Sequence, residues 1–230
     1  MRDLREELDP IWRATARLDR ATKGAPILMF TAARPGEGVS SMAASFACMA
    51  ARRSDKPVWL VDLDLRGNPI HSGFQNGFAR DVGRPKRAYD ASLRQTPIYD
   101  ITPRDEAARQ DKMLTAHELD GLPLLVTRFR NERLQPGQRV ALQSSPGWWQ
   151  ALRSLAGWVV IDAPALQASS AAATMASVTD AVVLIVEADR TTPAEIDNAR
   201  LALEARQGRV LGAVMNRMRR DARIAERFSA

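Results

Sequence analysis

A chain of 230 residues, 45% hydrophobic and 26% charged, suits one globular domain with a substantial core and leaves little room for two. No apolar run reaches the roughly 18 residues of a membrane-spanning helix, and the mixed acids and bases at the start are unlike a signal peptide, so a cytoplasmic protein is expected. Lysine and arginine total 33 against 27 acids, and this +6 charge suits nucleic acid, anionic lipid or an acidic partner, although scattered arginines more often form a solvated surface.

Residues 1–23 predict an arginine-rich amphipathic helix, with Leu4, Leu8, Ile11, Trp12 and Leu18 near helical spacing, as an arm that precedes the core. From 24 to 230, short apolar runs alternate with helical stretches. The runs are Ile27 to Phe30, Val58 to Val61, Trp158 to Ile161, Ala181 to Val186 and Val210 to Val214, and a helix starts at about Ser40. This alternation predicts an α/β protein with a doubly wound, mostly parallel sheet and helices on both faces. Cys48, the single cysteine, lies in the first helix of this series among small residues and reads as a buried thiol. Helix starts are marked by the capping box Thr192-Pro193-Ala194-Glu195, and by Thr102-Pro103 and Ser145-Pro146 on the same logic. The stretch from about 67 to 121, rich in Arg, Asp, Gly and Pro, reads as a long irregular insertion. His71 and His117 lack companions at ligand spacing and read as surface or loop residues. Trp148, Trp149 and Trp158 flank a short helix ending at Gly157; at least one should pack it on the sheet, and an exposed one would suit a partner. In the tail, Arg217, Arg219, Arg220, Arg223 and Arg227 predict the wet face of a terminal helix, with an anionic lipid or acidic contact as the competing reading.

The first strand leads into Ala33-Arg34-Pro35-Gly36-Glu37-Gly38-Val39-Ser40-Ser41 and then an alanine-rich helix. A strand, a glycine loop and a helix start in succession form an anion cradle, because backbone N–H groups and the helix dipole face the same point. The usual phosphate motif places lysine before the serine, and here that position is Val39. Alone, such a loop is weak evidence, and a tight strand-to-helix turn is the better reading of it. Two later strands, however, end in acids: Asp62 and Asp64, followed by Arg66, and then Asp162 before Ala163-Pro164. Carboxylates at the carboxyl ends of parallel strands fall where these sheets bind ligands and can hold Mg²⁺. Each aspartate taken singly also fits a helix cap, but the ordered set points to a P-loop NTPase plan.

These residues resemble the bacterial tyrosine kinases of capsule and exopolysaccharide synthesis, which are related to cell-division and plasmid-partitioning ATPases. The resemblance runs from about Ile27 to Asn216 and is thin between Gly73 and Gly121. Pro35-Gly36-Glu37-Gly38 with Ser40, Asp62-Leu63-Asp64-Leu65-Arg66, Asp162-Ala163-Pro164 and Gly212 to Arg217 carry it. It implies a Mg-ATP site with nucleotide contacts from Arg34, Gly36, Glu37, Gly38, Val39, Ser40, Ser41 and Asn216, the last near the adenine. Ser40, Asp64 and Asp162 would lie near the metal, and Asp62 near the acceptor hydroxyl, with Asp62 and Asp64 as the catalytic candidates.

Three departures change what the resemblance implies. Val39 removes a charge-assisted phosphate contact, which at about 1.5–3 kcal/mol corresponds to ~10 to ~150-fold in affinity. No tyrosine follows Tyr99, whereas the family phosphorylates a carboxyl-terminal tyrosine cluster. Where relatives carry a glutamate and two arginines that support ring assembly, only Arg13 aligns, with Pro10 and Ala16 at the other positions. Against these, Arg34 stands where partitioning ATPases carry a lysine that reaches a partner subunit's phosphates, although an exposed turn is a competing reading. The implied function is a pseudokinase-like regulatory subunit of exopolysaccharide or capsule export. It would bind the cytosolic part of a membrane co-polymerase at the inner face of the membrane, with homo-oligomers open. The alternatives are an active ATPase or autokinase with a non-standard phosphate loop, and a partitioning-type ATPase that binds DNA, although nucleic acid is the less expected partner.

Overall fold

Eight strands form one sheet, and two others pair in a second. The computed structural model describes residues 1–21, 24–103 and 112–218. In chain order the elements are α1 (Asp9–Ala21), β1 (Ile27–Ala32), α2 (Val39–Ala51), β2 (Val58–Asp62), α3 (Pro69–Gln75), β3 (Pro85–Asp90) and β4 (Tyr99–Thr102). They continue with β5 (Leu114–Leu119), β6 (Leu124–Phe129), β7 (Arg139–Leu142), α4 (Pro146–Leu155), β8 (Trp158–Asp162), α5 (Ala171–Met175), β9 (Ala181–Glu187), α6 (Pro193–Glu204) and β10 (Val210–Asn216). The large sheet has the order β10-β9-β1-β8-β2-β6-β5-β3, and β4 pairs with β7; the six strands from β10 to β6 run parallel, while β5 and β3 are antiparallel additions at one edge.

β1, β2 and β8 are buried along their whole length because both faces are covered, and they are apolar apart from Thr31 and the terminal Asp62 and Asp162. Alternate residues divide between two cores. Leu28 and Phe30 of β1 face α1 and α2, and Ile27 and Met29 face α4, α5 and α6. Trp148 and Trp149 are sealed under α4 and Trp158 under α2, so none of the three is exposed for a partner. Cys48 is buried as expected, and its surroundings push its thiol up to about 12. The capping box at α6 forms in both directions: Thr192 accepts from the Glu195 N–H, and the Glu195 side chain accepts from the Thr192 N–H.

Three expectations change. The amino-terminal arm does not stand ahead of the core. Leu4, Leu8, Ile11 and Leu18 are buried, and Trp12 packs against Phe46 and Trp158 with ring centroids 5.8 and 5.5 Å away. Its apolar stripe covers α2, whose own apolar surface is too wide for the sheet alone to bury. The stretch from 67 to 121 is also more regular than its composition suggests, since α3, β3, β4 and β5 fall within it. β3, at the sheet's edge, exposes five of its six residues and therefore lacks the alternation that marks a strand. Thr102 ends β4, and the helix expected after Thr102-Pro103 falls on 104–111, outside the described residues. His71 and His117 are not isolated: α3 and β5 bring their rings edge to face, 4.6 Å between centroids. The tail arginines from Arg219 onward lie outside the described residues.

Candidate nucleotide site

The carboxyl ends of β1, β2 and β8 meet at one edge of the sheet, and the loop after β1 closes over them. Gly36 and Gly38 turn that loop with φ of +88° and +96°, a region costly for any side chain. A Cβ on Gly38 would also collide with the Asn216 amide. Asn216 Nδ2 donates to the Glu37 carbonyl at 2.8 Å and so fixes the loop, while its Oδ1 accepts from the neighbouring Arg217 N–H. Beneath the loop lies a cavity of about 430 Å³ lined by Arg34, Gly36, Gly38, Val39, Ser40, Ser41, Asp64 and Asp162, among others. Met1 also lines it, and the Arg2 N–H donates to Ser41 Oγ at 3.0 Å, a wall that no sequence motif marks.

Val39 opens α2 and packs against the core below the loop. No cation projects from the position where phosphate-loop proteins carry lysine. Arg34 lines the cavity but its guanidinium pairs with Glu195, 3.2 Å away.

The acids fall into two tiers. Asp62 and Asp162 sit in register on adjacent strands. Asp62 is buried, and its two oxygens accept from the N–H groups of Asp64 (2.9 Å) and Ile70 (3.0 Å), so its immediate partners belong to its own connection to α3. Asp64 and Asp162 line the cavity. Burial, reinforced by the Asp162 charge, holds the Asp62 carboxyl well above the usual range. Burial also pushes Asp162 up to about 7, opposed by a hydrogen bond from Ser40 and aided by the Asp64 charge. Among the described residues no three His, Cys, Asp or Glu side chains gather closely enough to hold a metal unaided. Two cavity carboxylates and a serine hydroxyl nevertheless suit Mg²⁺, which takes one or two carboxylates and completes its shell with phosphate and water.

The fold carrying this site is the P-loop NTPase fold. Over 203 residues the chain is 27% identical to the tyrosine-protein kinase YwqD of Bacillus subtilis, covering 87% of this chain and 75% of the relative. The chain is similar to the bacterial tyrosine kinases. The kinase domain of Escherichia coli tyrosine kinase ETK superposes with a TM-score of 0.58 at 20% identity, over 90% of this chain and 73% of that one. The VpsO kinase domain gives 0.57 at 18%, over 93% and 98%. The MinC:MinD cell division protein complex of Aquifex aeolicus gives 0.56 at 15%, over 89% and 73%, which extends the shared fold beyond the kinases. No family model matches the chain.

The two tyrosines differ in access. Tyr99 is buried, with its hydroxyl accepting from the Met113 N–H. Tyr89 is exposed on β3, where its hydroxyl donates to Glu118. Sequence reasoning missed the turn after β9: Glu187 and Thr191 bind the Glu37 carboxylate, and Arg190 lies over Gly36. Its position after a parallel strand was the available signal, since such loops fall at the ligand edge.

Proposed function

We propose that this chain is a pseudokinase-like regulatory subunit of exopolysaccharide or capsule production, working by association with the cytosolic part of a membrane co-polymerase. The observation that carries the reading is Val39. An apolar residue packed on the core stands where phosphoryl transfer relies on a lysine, within an otherwise kinase-like loop. The fold does not need that lysine, because the position has only to start a helix and valine costs a fraction of a kcal/mol there. Polysaccharide production as the setting comes from the resemblance to tyrosine kinases of that role, and recruitment to the membrane's inner face would follow from the partner. Among the described residues no helix is long and apolar enough to cross a membrane.

The test is made in cells. Asp62→Ala and Asp162→Ala, each accumulating normally, should leave polymer output near wild type, whereas deletion of the whole chain should reduce or alter the polymer. An aspartate variant that matches the deletion would overturn this reading. It would favour the second, an ATPase or autokinase with a non-standard loop, which draws support from Asp64, Asp162 and Ser40 lining one cavity.

A further inference from the structure

β9 ends at Glu187, and the turn after it folds back on the phosphate loop. The Glu187 N–H donates to Glu37 Oε1 at 3.2 Å, and the Thr191 hydroxyl donates to the same oxygen. Glu37 Oε2 accepts from the Arg34 N–H at 3.0 Å, and the Glu37 side chain is fully buried. Loop and turn are thus tied through one carboxylate. Arg190 stands on that turn, with Nη1 3.8 Å from the point a Gly36 Cβ would occupy, an ordinary van der Waals distance. The same nitrogen donates to Glu187 Oε2 at 2.8 Å. The other oxygen of Glu187 accepts from Arg217 Nη1 at 3.0 Å.

We propose that Arg190 is the phosphate-binding cation of this chain, supplying from within the same molecule the charge that Val39 cannot. The proposal rests on reading the cavity as a nucleotide site. A polyphosphate entering under the loop brings several negative charges close to Gly36. Arg190, whose side chain is 46% exposed, is free to rotate from Glu187 towards them, and its planar fork suits two phosphate oxygens. Glu187 keeps Arg217 when Arg190 leaves, so no carboxylate is stranded. Arg34 is the rival. Its release would leave Glu195 Oε1 with only the Gln167 amide at 3.3 Å, on a side chain that also caps α6.

Calorimetric titration of the full chain with Mg-ATP and Mg-ADP tests the assignment. Wild type should bind weakly but measurably, and R190Q should lose about tenfold or more in affinity with an unchanged melting temperature. R217Q should weaken binding by less than R190Q, because Glu187 then holds Arg190 more tightly without removing it. V39K should tighten binding, and in that background R190Q should lose most of its effect, because lysine then holds the phosphates. A structural role for Arg190 would cost the same in both backgrounds.

The assignment fails if R190Q binds like wild type, if the loss appears in R34Q instead, or if R190Q costs equally with and without V39K. It also fails if wild type binds neither nucleotide at millimolar concentration. In each of these cases the regulatory reading survives, since it needs no nucleotide. ATP turnover abolished by Asp62→Ala would remove the regulatory reading, with the R190Q loss still deciding Arg190.

Discussion

His71 is held in a charged neighbourhood that disfavours its own charge. Burial, then His117, then Arg128 lower it to about 4, and His117 is lowered by burial, Arg128 and Arg130, with its Nε2 3.1 Å from the Thr115 hydroxyl. Between that folded value and an unfolded value of about 6.5, the unfolded chain binds the extra proton. Stability should therefore rise with pH across this window and be lost as pH falls through it. Asp62 and Asp162 act oppositely: their raised carboxyls keep protons in the folded state, and their penalty grows as pH rises. The contribution of His71 is best read by difference. His71→Gln should flatten the slope of melting temperature between pH 7 and pH 5 relative to wild type, and equal slopes would show that the ring pair carries no such linkage.

At the level of elements, the arm is a structural part of the domain. Leu8 is 1% exposed, so Leu8→Ala should cost about 2–5 kcal/mol in chemical denaturation, as for a core leucine; a loss below about 1 kcal/mol would place the arm outside the cooperative unit. Five of the six parallel strands were legible in the sequence, and in β1, β2, β8 and β9 the reason is burial on both faces, which makes them near-continuous apolar runs; β6, interrupted by Thr127 and Arg128, was not. β3 was not, since an edge strand exposes almost every residue, and the arm's apolar stripe revealed a helix without revealing what it covers. The site divides in the same way. The glycine loop and Asp62, Asp64 and Asp162 are local patterns at strand ends and could be read directly. The Glu195 partner of Arg34, the Glu37 link to the β9 turn and the meeting of His71 with His117 are long-range contacts that no spacing encodes.

For the molecule as a whole, a kinase-like frame carries Val39 at the motif lysine, and its two tyrosines are the buried Tyr99 and the edge-strand Tyr89. Incubation with Mg-ATP should therefore leave the protein without stoichiometric phosphate on tyrosine by mass spectrometry; phosphate on Tyr89 at β3 would contradict this, as would phosphate on Tyr99, which must first leave the core. The arm bears on the whole molecule in another way. Trp12 lies 5.5 Å from Trp158, ring centroid to centroid, with 39° between the planes, while Trp148 and Trp149 form a separate pair across the sheet. Two indoles that close couple their excited states. The first helix and the central strand thus share an optical signal, and the near-ultraviolet circular dichroism that Trp12→Phe removes would report, in solution and without an added label, whether a partner has lifted the arm.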